Sequence, residues 1–176
     1  ISTFKSDLEQ EFGIVARRYK KGKENCEVVE TRHGKVLEKL NLLGVPLGFK
    51  AGIIRVPTIV FESSNEFKVN FIKALFACDG YVNKDGKHVI YYSKSRKFLE
   101  DLHLILSHFN IQSTIRDKKV KLNGKLFHNY QINITDHTSL ENFKKIGFVN
   151  KSKEEKLNKH AFWQVMRRKK TYYLDE

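Results

Sequence analysis

The chain has 176 residues, 40% of them hydrophobic, with 13 Phe and 7 Tyr. That is enough to bury a core in one ordinary domain or two small halves, and it excludes wholesale disorder. Lys and Arg outnumber Asp and Glu by 33 to 20, for a net charge of +13, which points to a polyanionic partner because neutralised phosphates release counterions; the competing explanation is a solvated, lysine-rich surface of hyperthermophile type.

In chain order, the sequence opens on Ile1-Ser2-Thr3-Phe4 without a Met, as expected of a domain cut from something longer. An amphipathic helix closes on Glu11-Phe12-Gly13-Ile14. A basic hairpin follows, with Arg17, Arg18, Lys20 and Lys21 on one arm and Lys23, Glu27 and Arg32 beyond its turn. The only two prolines, Pro46 and Pro57, bracket a Gly-rich segment from Gly44 to Gly52, the best candidate for an internal boundary. Ser63-Ser64-Asn65-Glu66 supplies cap residues for an apolar helix from about Phe67 to Ala77, which ends on Cys78-Asp79-Gly80. Asn83-Lys84-Asp85-Gly86-Lys87 is a hairpin turn between Tyr81-Val82 and the run from His88 to Tyr92. Ser95 caps a second helix with an apolar stripe at Phe98, Leu102, Ile105, Leu106 and Phe109. A second hairpin, Ile111 to Leu122 and Phe127 to Thr135, turns at Asn123-Gly124. A helix from about Thr138 to Ile146 and a charged helix from Lys153 to about Arg168 close the chain.

Cys26 and Cys78 form no disulfide framework or metal spacing, which suits an intracellular setting. No run is long and apolar enough to span a membrane, no basic amphipathic helix suits a membrane surface, and nothing resembles a signal peptide. The fold class is α+β, an αββαββα repeat with an antiparallel sheet. The first fifty residues form a degenerate, partial copy of it. Glu11-Phe12-Gly13-Ile14 lines up with His108-Phe109-Asn110-Ile111, Glu27-Val28-Val29-Glu30-Thr31 with Gln131-Ile132-Asn133-Ile134-Thr135, and Leu43-Gly44-Val45 with Ile146-Gly147-Phe148. Counting five positions on from Val45 and from Phe148 reaches Lys50 and Lys153.

Small residues at Ala74, Ala77 and Cys78 would let a second helix approach closely, and the helix end would hold the Asp79 carboxylate at the foot of the pair. Such a carboxylate can anchor a hard cation such as Mg²⁺; the plainer alternative is a buried helix with an Asp-Gly turn into a hairpin. A sheet that reads a DNA groove needs long polar side chains alternating along its strands. Candidates are Arg17, Arg18 and Lys20 on the first hairpin, Lys84, Lys87 and His88 on the middle one, and Arg116, Lys118, Lys119, Lys121 and Lys125 on the last. Asn129, Gln131 and Asn133 share one face on the return strand, where Val120, Leu122, Tyr130, Ile132 and Ile134 are expected on the helix side. A solvated sheet face would have the same pattern. Arg167-Arg168-Lys169-Lys170 clamps a nucleic-acid backbone or is a solvated tail, and Phe162 and Trp163 are expected to dock the last helix rather than stack on bases.

The segment Phe71 to Gly80, with Ile53-Ile54-Arg55-Val56-Pro57 before it and Ile146-Gly147-Phe148-Val149-Asn150-Lys151-Ser152-Lys153 near the end, resembles the LAGLIDADG homing endonucleases of the two-repeat type found in inteins and introns. The resemblance implies a saddle of two sheets astride double-stranded DNA, cut by Mg²⁺-dependent phosphodiester hydrolysis. It places residues 1–50 as a partial repeat, 51–64 as linker, 65–157 as a complete repeat and 158–176 as a basic helix and tail. It implies Asp79, with Gly80, at the metal, and Lys153 or Lys151 with Lys50 as catalytic lysines; for each lysine a phosphate contact or plain surface charge is the alternative. Ala74 stands where the family has Gly, and the start of the chain lacks a first motif helix and its acidic residue. Either two copies pair through the Asp79 helix, or the missing repeat portion was removed, or catalysis has been lost. The last case would leave a DNA- or RNA-binding regulator or splicing cofactor.

Overall fold

The computed structural model describes residues 2–21, 26–122 and 124–159. Lys23, the Asn123 half of the last turn, Phe162, Trp163 and the Arg167–Lys170 run lie outside the described residues, as does most of the 158–176 tail. The chain divides into two compact units, residues 1–47 and 48–176.

The first unit contains α1 (Ser2–Phe12), the hairpin β1 (Arg17–Lys21) and β2 (Cys26–Glu30), and α2 (Gly34–Leu42). Helix α1 ends because Gly13 takes a left-handed φ of 59° and turns the Ile14 N–H back onto the Glu9 carbonyl at 3.2 Å. Ile14 is thereby buried, and the Glu9 side chain accepts the Ala16 N–H at 2.8 Å. The strands pair with Arg17 opposite Glu30 and Lys20 opposite Glu27. Lys39 of α2 reaches Glu11 of α1 at 2.6 Å.

The second unit runs α3 (Thr58–Glu62), α4 (Asn65–Asp79), β3 (Gly80–Val82), β4 (Val89–Ser93), α5 (Arg96–His108), β5 (Thr114–Leu122), β6 (Lys125–Ile134) and α6 (His137–Ile146), then helix α7 over 151–159. From α4 to α6 this is the expected αββαββα order. The four strands form one antiparallel sheet in the order β3-β4-β6-β5. Helix α4 is longer at both ends than the apolar run: the Ser64 hydroxyl accepts the Phe67 N–H at 3.3 Å, and the helix continues to Asp79. Ser95 and Asp136 cap α5 and α6 through the N–H groups of Phe98 and Ser139. Asn83 organises the first turn, its side chain accepting from Lys87 N–H at 2.8 Å and His88 N–H at 3.1 Å.

Ile72 and Phe76 of α4, Leu102, Ile105 and Leu106 of α5, Leu140 and Phe143 of α6, and Leu157 of α7 are fully or almost fully buried, together with Val89 and Tyr91 of β4 and Ile132 and Ile134 of β6. Residues 51–64, assigned as linker from the sequence, include α3 and place Val56 and Val60 in this core. Arg55 donates to both oxygens of the buried Asp101 carboxylate on α5, at 2.6 and 2.5 Å, and the Val56 N–H donates to the same carboxylate at 3.1 Å. That fork holds the segment to the body of the unit.

Candidate active site and nucleic-acid interface

Asp79 is the last residue of α4 and is exposed. Gly80 follows in extended backbone and returns its N–H to the Phe76 carbonyl. A Cβ at Gly80 would collide with that carbonyl oxygen and come within 2.8 Å of the Phe76 Cα. The Asp-Gly pair therefore answers a steric demand: only glycine lets β3 leave the helix this close to its last turn.

Lys153 arrives from α7. Gly147 (φ 76°) ends α6, and Phe148 packs its ring 5.3 Å from Phe143 and 6.5 Å from Phe76. The Phe148 N–H donates to Glu154 at 2.7 Å, and the Asn150 side chain accepts the N–H groups of Ser152 and Lys153 at the start of α7. So placed, the Lys153 ammonium donates to the Phe76 carbonyl at 3.0 Å and the Ala77 carbonyl at 2.7 Å. It caps the negative end of the helix that carries Asp79. Burial lowers the Lys153 pKa from the ordinary lysine value, and the neighbouring Cys78 and Asp79 act in the opposite direction. Lys153 and Asp79 are thus brought to one place.

Tyr91 lies beneath them. It is the cross-strand partner of Gly80, it is 6% exposed, and its ring centroid is 5.4 Å from that of Phe76. Burial first, and then the charge of Asp79, pushes the phenol well above its ordinary pKa. An exposed carboxylate, a fixed ammonium and a buried phenol together make a polar foot on an apolar helix. Oxygen donors of this kind suit a hard divalent cation, which commonly takes one or two protein carboxylates and completes its shell with water and phosphate. No group of three or more His, Cys, Asp or Glu with metal-binding geometry occurs among the described residues.

The other candidates are dispersed. Lys151 is exposed on the first turn of α7. Lys50 falls in the second unit, exposed in the turn where its carbonyl accepts the Ile53 and Ile54 N–H groups. On α4, Ala74 and Cys78, four residues apart and so on one face, are exposed, and Ala77 is half-buried. Lys84 and Lys87 lie in the β3–β4 turn. Arg17 lies on the opposite face of the first hairpin from Arg18 and Lys20, since successive residues alternate.

The register corrects one expectation on the last hairpin. Thr114, Arg116 and Lys118 pair with Asn133, Gln131 and Asn129, so these six share the face away from the core. Lys119 and Lys121 pair with His128 and Leu126 and share the side of the buried Ile132. By backbone pairing Val120 and Leu122 take the register parity of Lys118 and not that of Ile132, and the basic residues of β5 divide between both faces. With period two and one continuous register, the buried Ile132 sets the side of its whole strand pair. On the outer face Gln131 donates to the Asn133 side chain at 3.0 Å, and Asn133 to the Thr114 carbonyl at 3.3 Å. Exposed Tyr81 and Tyr92 lie on the same face. Backbone pairing puts Lys125 opposite Leu122.

Tyr91 and Glu154 escaped the sequence reading. Tyr91 carried one usable signal, since in Val89-Ile90-Tyr91-Tyr92 it shares the buried parity of Val89. Glu154 carried none that separates it from the other charges of its helix.

Residues 66–147 match the family described as LAGLIDADG-like domain. The chain is 36% identical over 84% of its length to part of a probable translation initiation factor IF-2 of Methanocaldococcus jannaschii, covering 13% of that protein. It is 29% identical over 78% of its length to part of a glutamine–fructose-6-phosphate aminotransferase of the same organism, again covering 13%. The fold is similar to that of a crystal structure of a point variant of the homing endonuclease I-DmoI in complex with its target DNA in the presence of Mg, with a TM-score of 0.56 at 17% identity, over 83% of this chain and 70% of that one. No helix among the described residues is long and apolar enough to cross a membrane. The family match lies on the αββαββ core of the second unit, and by it this part of the chain belongs to the LAGLIDADG-like domain family.

Proposed function

We propose that the chain is the DNA-cleaving part of a site-specific double-stranded DNA endonuclease, an intracellular mobile element of the intein or intron type, with Asp79 as metal ligand. The observation that carries this reading is the meeting of Asp79 and Lys153 at the foot of α4. A bound Mg²⁺ would activate water and offset charge on the phosphate. Asp79, with the Gly80 carbonyl, would hold the cation, and the fixed Lys153 ammonium would stabilise charge on the phosphate oxygens. Lys151 and Lys50 stand as further candidates for that role. The outer sheet face with Arg116, Lys118, Asn129 and Gln131 would lie along a duplex, with Lys84 and Lys87 of the β3–β4 turn on phosphates; Arg18 and Lys20 of the first unit's hairpin are separate phosphate candidates, and Lys119 and Lys121, on the other side of β5, would not face the same groove. The two relatives support mobility: a translation factor and an aminotransferase share no chemistry, yet each contains a similar segment over 13% of its length.

Two-strand cleavage requires a second carboxylate. The first unit shows a counterpart of α5 but none of α4 among its described residues. Pairing of two copies through Ala74, Ala77 and Cys78 would supply a second Asp79, as would a missing repeat portion. The same observation favours the alternative of a DNA- or RNA-binding protein that has lost cleavage. Incubation with a randomised duplex library and Mg²⁺, with sequencing of the cut ends, separates the two. The enzyme gives one recurrent cut site that disappears in Asp79→Asn. A library that is bound but left intact establishes the binding protein instead.

A further inference from the structure

We infer that Gln131 reads adenine in the major groove of a DNA duplex and that Asn133 is its positioning residue: a hydrogen-bonded relay from the Thr114 carbonyl through Asn133 fixes which end of the Gln131 amide is left free. This deepens the reading of the outer sheet face as a duplex-binding surface and rests on it. Two hydrogen bonds make the relay. The Asn133 side-chain nitrogen donates to the Thr114 carbonyl at 3.3 Å, and the Gln131 side-chain nitrogen donates to the Asn133 side-chain oxygen at 3.0 Å. Asn133 is 7% exposed, so it serves the relay and meets no base itself. Gln131 is half-buried, in a cross-strand row between Tyr92 of β4 and Arg116 of β5, both exposed.

The direction of the relay is set by its first member. A backbone carbonyl can only accept, so it demands the nitrogen of Asn133 and turns the oxygen of that amide toward Gln131. That oxygen in turn demands the Gln131 nitrogen. What remains of the Gln131 amide is one N–H and its oxygen, which has no hydrogen-bond partner among the described residues. An acceptor beside a donor is the complement of the adenine edge, which offers the N6 amino donor and the N7 acceptor. Guanine offers two acceptors there, and thymine an acceptor and a methyl group. A glutamine free to flip would present either end, whereas this one is set before the duplex arrives. The relay also removes side-chain freedom that binding would otherwise have to freeze.

The test uses the full chain and a randomised duplex library with Mg²⁺ withheld, sequencing the bound duplexes and reading the unfolding midpoint on the same samples. The wild type is expected to enrich a site with one adenine, preferred about 10-fold or more, whose preference is lost in Gln131→Ala. Asn133→Ala should relax that same base pair and leave the rest of the site in place, which a general loss of stability would not do. Asn133→Leu, similar in volume and without hydrogen-bonding groups, gives the same result should the alanine variant be unfolded. Gln131→Glu, which can only accept, should move the preference at that position to cytosine. Asn133 variants that keep the adenine, or that weaken every position alike, overturn the positioning role. A selected site that no Gln131 variant alters, or in which Gln131 governs a base other than adenine, overturns the base assignment and leaves duplex binding standing. If the wild type enriches no sequence at all, the reading of the outer face itself fails, and the relay's role with it.

Discussion

Helices α1 and α5 end in the same way in two very different settings. In the first, Gly13 at φ 59° returns the Ile14 N–H to Glu9; in the second, Asn110 at φ 55° returns the Ile111 N–H to Leu106 at 3.0 Å. Helices α2 and α6 repeat the likeness, each followed by a left-handed glycine, Gly44 at 88° and Gly147 at 76°. Yet the buried apolar residues of the first unit, among those described, are Ile14, Ala16 and Val36, whereas the second unit has a core built from five helices and a sheet. The comparison teaches that helix-ending geometry is local, written in a glycine or asparagine and the apolar residue after it. The meeting of Asp79 and Lys153 is not local: α4 carries Asp79, and Lys153 reaches the end of that helix from the far end of the unit.

The largest contrast between the units is expected at two glycines. Gly80→Ala puts a methyl group onto the Phe76 backbone, which cannot move without α4, and should cost about 3 kcal/mol or more. Gly13→Ala meets no atom within 4 Å and carries only its left-handed φ, so about 1–2 kcal/mol is expected. Amide hydrogen exchange, read separately in each unit, measures both; equal costs would break the distinction between close approach and backbone strain.

Next come the matched lysines. Lys153→Ala strips two helix-end carbonyls of their ammonium and should lower the stability of α4 by about 1 kcal/mol. Lys50→Ala, at an exposed position, should fall within about 0.5 kcal/mol of wild type. Urea midpoints that shift equally would mean that the two positions are structural equivalents after all.

The smallest effect concerns acid. The Ala16 N–H, and then Lys5, holds the Glu9 carboxyl below its ordinary pKa in the first unit. The Ser139 N–H, and then its hydroxyl, does the same for Asp136 in the second. Both folded values lie below the unfolded ones, so this stabilisation is complete above about pH 4 to 4.5 and is lost as the pH falls through the folded values. Glu9→Gln should flatten the acid limb of amide exchange around Ala16 and leave that around Ser139 unchanged.

What was legible in the sequence follows a length scale. Ser64, Ser95 and Asp136 act within three residues, through a side-chain oxygen and the N–H it caps. The β3–β4 turn is likewise written in Asn83 and Gly86. The Asp79 foot and the approach of Lys153 were read from family resemblance rather than from any periodicity. The Arg55–Asp101 fork joins residues 46 apart and leaves no local trace. The facing of Lys119 and Lys121 was misread because Val120 and Leu122 suggest the opposite parity on β5, and only the pairing with β6 decides which parity is buried.

By itself the sequence determined the strong positive charge, most of the elements with their capping residues, and an acidic residue at the end of an apolar helix. These depend on composition and on contacts a few residues long. The tertiary structure decided which face of the last hairpin is outward, which tyrosine of the Tyr91-Tyr92 pair packs against Phe76, and which lysine reaches the helix end. Each of those rests on the register of β4 and β6 and on the packing of α4, α6 and α7, interactions that form only when segments far apart in the chain come together.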